Sequence, residues 1–242
     1  MSKVNLIYGD CIEKLKDLPD ESVDCIVTDC PYPLVCGGKN HNHKYHKNRN
    51  GNVYVKVNKH NELIQGMFRD FSDWLPTLYR VLKNNSHCYI MISPRNLKTL
   101  QTKAEDAGFI LQNLLVWDKG NAVMNSFYFN CYELILFLRK GNAKLINNQG
   151  TPNILHFRNF TNKNNEHPTQ KPVALMRTLI ENSTNEGDVV LDPFMGSGAT
   201  GIACKQCGRD FIGCEIDKQW YDLAYSKIMN ENNINHNQKT LF

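Results

Sequence analysis

The chain has 242 residues, of which 41% are hydrophobic and 21% are charged, and these values are ordinary for a globular protein with a substantial core. It contains no apolar run of about eighteen residues and no charged-then-apolar signal layout at its start, so we expect a cytoplasmic protein that does not enter a membrane. The nine cysteines lack the spacing of a disulfide framework. We interpret them as reduced thiols, with core positions for Cys25, Cys88, Cys131 and Cys214.

The net charge of +4 is unevenly distributed. No acidic residue occurs between Leu34 and Asn61, so this segment carries +6 and the remainder of the chain −2. A basic loop over 34–66 on a near-neutral body is typical of a surface that contacts phosphates, although a solvated disordered loop has the same composition. Its basic side chains are Lys39, Lys44, Lys47, Arg49, Lys56 and Lys59.

Metal binding is not expected from the cysteine and histidine spacing. Cys36, His41, His43 and His46 match no standard ligand set, and we interpret their segment as a flexible loop. Cys204 and Cys207 form a single CxxC on a predicted helix, which favours core packing over zinc.

Strands and helices are predicted to alternate along the chain. The predicted strands are Val4–Tyr8, Val23–Thr28, Cys88–Ile92, Phe109–Trp117, Cys131–Leu138, a strand at Val189 and Phe211–Glu215. The predicted helices are a short one from Asp10, a stripe over Met67–Leu82 interrupted by Pro76, Asn96–Ala107, Pro172 to about Ser183, roughly Ser197–Cys207 and about Lys218–Asn230. This rhythm predicts one α/β domain over 1–230, with a mostly parallel sheet, helices on both faces and a flexible tail over 231–242.

A glycine-rich turn follows the strand at Val189. Asp192 ends the apolar run, and Gly196, Gly198 and Gly201 have the GxGxxG spacing of a nucleotide-binding turn that opens a helix. A dinucleotide fold continues through several more βα units, yet only about 40 residues remain after this turn. The order of these elements along the chain therefore argues against an NAD-dependent oxidoreductase. The remaining strands must come from the N-terminal half of the chain.

A second chemical element is the sequence Asp29-Cys30-Pro31-Tyr32, which lies where a predicted strand ends. Methyl transfer to an exocyclic base amine needs acceptors for the two amine hydrogens, so that the nitrogen lone pair is directed at the methyl group. The Asp29 carboxylate and the Cys30 carbonyl can be these acceptors. The ring of Tyr32 can stack on a base removed from the helix, an interaction worth roughly 1–3 kcal/mol.

With these two elements in this order, the chain resembles the β class of DNA amino-methyltransferases from Asn5 to about Tyr225. Asp192 to Gly198 matches the cofactor element of that family, and His167 to Pro172 resembles its cofactor-carboxylate segment. The resemblance implies a circularly permuted Rossmann-like fold and a site for S-adenosylmethionine. The cofactor residues that it implies are Asp10, Thr169, Gln170, Lys171, Asp192, Phe194, Gly196, Ser197, Gly198 and Glu215.

Cys30 departs from the family pattern, which usually has proline at this position. Pro31 still biases Cys30 toward an extended backbone, and the group needed is the backbone carbonyl, so we expect an active enzyme. In this family Asp at the first position usually accompanies adenine N6, whereas Ser accompanies cytosine N4, so Asp29 favours adenine. Methylation of cytosine N4 and an inactive DNA-binding module are the alternatives.

Three further segments concern partners. The asparagine-rich stretch 141–165 occupies the place of the target-recognition region of the family, and its amides could bind adenine edges or only form a loop. The tail Gln238 to Phe242 resembles the short peptide by which bacterial proteins bind the replication sliding clamp. We expect DNA as the macromolecular substrate, and a homodimer is left open.

Overall fold

The chain forms an eight-stranded sheet covered by helices. The computed structural model describes residues 2–31, 45–47, 53–55, 70–123, 128–158 and 171–231. The strands are β1 (Val4–Tyr8), β2 (Val23–Asp29), β3 (Tyr45–Lys47), β4 (Val53–Val55), β5 (Leu82–Ile92), β6 (Ile110–Val123), β7 (Asn130–Lys140), β8 (Ile154–His156), β9 (Val189–Asp192) and β10 (Asp210–Glu215). The helices are α1 (Cys11–Lys14), α2 (Phe71–Val81), α3 (Leu97–Asp106), α4 (Val173–Ser183), α5 (Ala199–Gln206) and α6 (Lys218–Asn230).

The strand order of the main sheet is β1-β10-β9-β2-β5-β7-β6-β8. The pairings are parallel except for those of β7, which runs antiparallel to both β5 and β6. From β9, the sheet extends through β10 and β1 to one edge, and from β2 it extends through β5 toward the other edge. This is the order of a doubly wound sheet, except that the chain begins at β1 and not at β9. The structure therefore confirms a circularly permuted Rossmann-like fold.

This order creates a switch point between β9 and β2, where successive units leave the sheet in opposite directions. Ligands of open α/β sheets bind at the carboxyl ends of the strands beside such a point. Here those ends carry Asp29 on β2, Asp192 on β9 and Glu215 on β10. Residues from opposite ends of the chain are thereby brought to one edge.

Helices cover both faces of the sheet, as predicted. Alternate residues of β2 belong to different cores, with Ile26 on one face and Cys25 and Val27 on the other. Helices α1, α2 and α3 cover the first face, and α4, α5 and α6 cover the second. Because β2 is buried on both sides, it has a nearly continuous apolar run.

Several details differ from the sequence prediction. Helix α2 continues through Pro76, which lies on the exposed face, so the carbonyl that loses its hydrogen-bond donor can be solvated. The short strands β3, β4 and β8 lie in segments predicted as loops. The core prediction was wrong for Cys131, which is exposed near the start of β7.

Most cysteines of the described residues are buried. Cys25, Cys88 and Cys214 are buried as predicted, and Cys204 on α5 and Cys207 directly after it pack in the core as predicted. Within the described residues, no helix is long and apolar enough to cross a membrane.

Candidate active site

The turn after β9 is organised by Asp192, which is buried. Its Oδ1 accepts hydrogen bonds from the Thr28 hydroxyl at 2.7 Å and the Phe194 amide at 3.1 Å, and its Oδ2 accepts one from the Thr200 hydroxyl at 2.6 Å. Asp192 therefore ties β2, the turn and α5 together. Its carboxylate shapes the turn through donors of the chain itself.

Gly198 at the N-cap of α5 and Gly201 within α5 are required by helix packing. Gly198 has a φ of +87°, and a Cβ there would lie 2.9 Å from Ile228 on α6. A Cβ on Gly201 would lie 2.4 Å from Ile228 and 2.7 Å from the ring of Phe211. The tight turn predicted at Gly198 is confirmed, while the space beside these glycines is filled by α6 and β10. Thus the glycines allow α5 to approach its neighbours closely.

Glu215 joins the ends of two neighbouring strands. Its Oε2 accepts from the Gly196 amide at 3.0 Å and its Oε1 from the Asp217 amide at 2.8 Å. A carboxylate has about four lone-pair sites, so Glu215 keeps acceptor capacity for a ligand hydroxyl. Asp10 follows β1 and caps α1 through the Ile12 amide at 3.0 Å.

Asp29 ends β2 beside this turn. Its Oδ2 lies 2.7 Å from the Nζ of Lys171, whereas Oδ1 is buried and has no hydrogen-bond partner among the described residues. The side chain as a whole is 26% exposed, so burial is concentrated at Oδ1. Lys171 precedes α4 and also lies 3.2 Å from Glu133. The residue predicted to bind the cofactor thus contacts the predicted catalytic acid.

Burial governs the protonation of the acids at this edge. It raises the pKa of Asp192 to about 6, against the lowering effect of the Thr200, Thr28 and Phe194 donors. Burial also raises the pKa of Asp29, and the ammonium group of Lys171 only partly offsets it. The pKa of Glu215 is raised by burial as well. Each carboxylate therefore loses solvation at the place where a ligand would approach.

The side chain of Cys30 has a structural role at the end of β2. Its side chain is buried in the core, and its Sγ–H donates to the Met91 carbonyl at 3.7 Å. Burial holds the pKa of the thiol well above its ordinary value, and the charge of Asp29 adds to this, so the thiol stays neutral. Cys30 therefore anchors the end of β2 against β5.

Several residues around Asp29 were not found from the sequence. Glu133 on β7 accepts from Lys119 on β6 at 2.7 Å, and the indole of Trp117 lies 5.7 Å from the Lys119 ammonium and 5.9 Å from the Lys171 ammonium. Trp117 and Glu133 are cross-strand partners. The alternation within each strand could have placed these side chains on one face, but only the strand order places that face beside Asp29.

Part of the asparagine-rich stretch is used by the fold itself. The Asn147 amide donates to the carbonyls of Glu181 and Thr184, both at 2.8 Å, at the end of α4.

Among the other predicted residues, Ser197 is buried, the Phe194 ring contacts the Trp74 ring edge-on with 5.2 Å between ring centroids, and Lys47 belongs to β3. The predicted residues outside the described part are Tyr32, Lys39, Lys44, Arg49, Lys56, Lys59, Thr169, Gln170 and Gln238 to Phe242.

An acid-lined carboxyl edge at the switch point of a permuted doubly wound sheet is a position where such folds bind ligands. The DNA methylase family model matches residues 23–226, and the chain belongs to this N6/N4 DNA methylase family. It is 30% identical to the Type II methyltransferase M2.DpnII of Streptococcus pneumoniae, over 97% of this chain and 92% of that protein. It is 29% identical to the Type II methyltransferase M.HinfI of Haemophilus influenzae, over 92% and 67% of the two chains.

Solved structures have the same fold. The crystal structure of the M1.HpyAVI–SAM complex superposes with a TM-score of 0.67 at 28% identity, over 93% of this chain and 99% of that one. The PvuII DNA methyltransferase, described as cytosine-N4-specific, superposes with a TM-score of 0.71 at 18% identity, over 97% and 89% of the two chains. The second likeness, at 18% identity, concerns the fold alone.

Proposed function

We propose that the protein transfers a methyl group from S-adenosylmethionine to the N6 amine of adenine in DNA. The observation that carries this proposal is Oδ1 of Asp29, a buried acceptor without a partner among the described residues, at the switch point of the sheet. Leaving a buried acceptor unsatisfied costs about 1–3 kcal/mol. An amine hydrogen of the target base would remove this cost and thereby fix the orientation of the amine.

Among the cofactor residues proposed from the family resemblance, Asp10, Asp192 and Glu215 lie at the carboxyl ends of β1, β9 and β10. S-adenosylmethionine supplies a methyl group that its sulfonium has already activated. Glu215 retains lone pairs for hydroxyl groups of the ribose, and Asp10 lies at the end of the neighbouring strand β1. The solved complex of M1.HpyAVI with this cofactor supports the assignment. The turn residues Phe194, Gly196, Ser197 and Gly198, with Thr169 and Gln170, complete the proposed set.

The transfer step needs orientation more than acid–base power. Asp29 Oδ1 and the Cys30 carbonyl accept the two amine hydrogens, and the face of Tyr32 holds the extruded base. The amine nitrogen forms a bond to the methyl carbon while the carbon–sulfur bond breaks, and one amine proton then leaves toward the Asp29 carboxylate. Such orientation can lower a barrier by several kcal/mol, roughly 7–11 kcal/mol in the best cases.

Cytosine N4 is the second candidate, because the PvuII enzyme of the same fold is specific for it. The test is to incubate the protein with S-adenosylmethionine and unmethylated DNA, hydrolyse the DNA to nucleosides and identify the product by mass spectrometry. We expect N6-methyldeoxyadenosine. N4-methyldeoxycytidine would overturn the choice of base, and no methylated nucleoside from a cofactor-bound protein would favour the inactive module.

Contacts with partners are proposed from sequence alone. The basic residues of 34–66 would neutralise DNA phosphates, so replacing one of them with alanine should reduce the salt-dependence slope of DNA binding by about 0.9. The stretch 141–165 would contribute to target recognition. Removing Leu241 and Phe242 should abolish capture by a bacterial sliding clamp, and unchanged capture would contradict that binding site.

A further inference from the structure

A chain of alternating charges connects Asp29 to the antiparallel part of the sheet. Lys171 Nζ lies 2.7 Å from Asp29 Oδ2 and 3.2 Å from Glu133 Oε2, and Lys119 Nζ lies 2.7 Å from Glu133 Oε1. The side chain of Lys171 is only 8% exposed. The order of the row is thus Asp29, Lys171, Glu133 and Lys119, and the four groups carry no net charge. Such a buried row holds its members in place only while every member is paired.

The row makes the two oxygens of Asp29 different. Oδ2 accepts from Lys171, while Oδ1 is buried and has no partner among the described residues. A free carboxylate could rotate and offer either oxygen to a substrate. The ammonium group of Lys171 binds Oδ2, so Oδ1 is the oxygen that can accept from a substrate. Glu133 contacts the same ammonium group and restrains Lys171. The indole of Trp117, whose Nε1 donates to the Phe157 carbonyl at 2.7 Å, flanks both lysines.

We propose that Lys171 is a positioning residue for Asp29, held in place by Glu133, and that it leaves Oδ1 as the acceptor presented to the target amine. This inference rests on the proposed function and assigns Lys171 a role different from the cofactor-carboxylate role implied by the family resemblance. Lys171 acts through Asp29 and does not need to contact the base or the methyl donor.

The charges around Asp29 determine the direction of the expected effects. The ammonium group of Lys171 lowers the pKa of Asp29, whereas burial and the charge of Glu133 raise it. For Glu133, burial raises the pKa, but the two lysines outweigh burial and lower it. The titratable and charged groups facing Asp29 from the elements packed around it are Lys171, Glu133, Lys119, Asp192 and the neutral thiol of Cys30.

The experiment compares the pH profiles of kcat for Lys171→Met and Glu133→Gln in the full-length protein. Loss of the lysine should raise the pKa of Asp29, which moves the acid limb of kcat to higher pH and lowers kcat along that limb relative to the wild type. Loss of the Glu133 charge should move that limb to lower pH. Opposite shifts from two neighbouring substitutions would not result from simple loss of packing.

Two control variants and one binding measurement distinguish the positioning role of Lys171 from the cofactor role. Lys171→Arg should retain the wild-type limb because it keeps the charge, and Lys103→Met on the exposed face of α3 should change nothing. Affinity for S-adenosylmethionine should stay within about twofold in Lys171→Met, since a twofold change is only about 0.4 kcal/mol. A loss of cofactor affinity of about tenfold with an unmoved acid limb would overturn the inference and support the cofactor role.

The test is distinct from that of the proposed function. If the wild-type protein methylates DNA but the acid limb of kcat does not move in either Lys171→Met or Glu133→Gln, only this inference fails. If the wild-type protein methylates no DNA, the titration of the Asp29 carboxyl carbon by ¹³C NMR still tests the charge row. It should occur at higher pH in Lys171→Met and at lower pH in Glu133→Gln, and unchanged titration in both would overturn the inference.

Discussion

The two ends of the central strands satisfy their buried polar groups differently. At the carboxyl end, the buried groups are mainly acids, and burial raises the pKa of Asp29, Asp192 and Glu215. The two buried side-chain atoms without a hydrogen-bond partner in the described part of the chain are Asp29 Oδ1 and Trp74 Nε1. Trp74 packs edge-on against Phe194 of the glycine turn, so both atoms lie near this end.

At the amino end, buried polar groups are paired within the chain. Ser183 Oγ lies 2.8 Å from both His87 Nδ1 and the Tyr89 hydroxyl, and His87 Nε2 lies 3.1 Å from the Lys144 carbonyl. The ammonium group of the buried Lys140 donates to the carbonyls of Tyr79 and Leu82 at 2.9 and 2.7 Å. The amino end therefore stabilises the sheet, while the buried polar atoms without a partner in the described part of the chain lie toward the carboxyl end, where the ligand site is proposed.

The largest effect should come from Asp29→Asn. The amide keeps the size of the side chain but removes the charge that pairs with Lys171 and accepts the amine proton. We expect kcat for methyl transfer to fall by about 10²–10⁴-fold, because the variant loses the charged acceptor that orients the amine and the group that takes its proton. Steady-state transfer of a labelled methyl group to DNA measures it, with Asp106→Asn on exposed α3 as the control. A variant with wild-type turnover would remove Asp29 from the mechanism.

Asp192→Ala should reduce stability, since the acid organises the turn. Its loss leaves the buried hydroxyls of Thr28 and Thr200 without their acceptor. At about 1–3 kcal/mol for each unsatisfied group, the free energy of unfolding should fall by about 2–6 kcal/mol. Urea denaturation measures this change. A loss below about 0.5 kcal/mol would be typical of an exposed position and would contradict the organising role.

The two ends should also respond oppositely to pH. Asp192 has its pKa raised to about 6 by burial, so its contribution to stability is complete below about pH 4 and is lost as the pH rises through 6. His87 has its pKa lowered to about 4 by burial, so its contribution is complete above about pH 6.5 and is lost as the pH falls through 4.

Each of these contributions is about 3 kcal/mol at most. Between pH 4 and 7, Asp192→Asn should therefore gain stability relative to the wild type as the pH rises, and His87→Gln should gain as the pH falls. Urea denaturation across this range gives both differences. Parallel slopes in the two variants would contradict the contrast between the two ends.

The smallest effect should come from Cys30→Ala. The thiol is buried against the Met91 carbonyl, and the proposed mechanism uses only the backbone carbonyl of this residue. We expect a loss of stability of about 1 kcal/mol and a kcat within about threefold of the wild type. A kcat reduced as far as that of Asp29→Asn would show that the Cys30 side chain participates in the reaction.

Local sequence patterns predicted most elements because their apolar periods agree with the fold. Helix α6 was predicted at Lys218–Asn230 and begins and ends there, since Asp217 caps it through the Gln219 and Trp220 amides. Strand β8 was not predicted, because a three-residue strand in a polar segment gives no periodic signal. Pro76 was expected to interrupt α2, but burial of Phe71, Trp74, Leu75 and Leu78 outweighs its local effect.

The turn that carries Asp192 and the glycines was predictable, because its residues are neighbours in sequence at the end of one strand. The pairing of Lys171 with Asp29 depends on the position of α4 beside β2, and the contribution of Glu133 and Lys119 depends on the placement of β7 and β6 beyond β5. No local pattern specifies that placement, since it results from long-range strand pairing. The same strand order brings Thr28 to Asp192 across 164 positions of sequence.

The most direct test of the division within the carboxyl end is calorimetric titration of S-adenosylmethionine into Asp29→Asn and Glu215→Gln. Asp29→Asn should bind the cofactor within about twofold of the wild type. Glu215→Gln replaces the charged acceptor proposed for the ribose hydroxyls and should bind at least about tenfold more weakly, since hydrogen bonds to charged groups contribute about 1.5–3 kcal/mol. Loss of binding in Asp29→Asn, with unchanged binding in Glu215→Gln, would contradict the account.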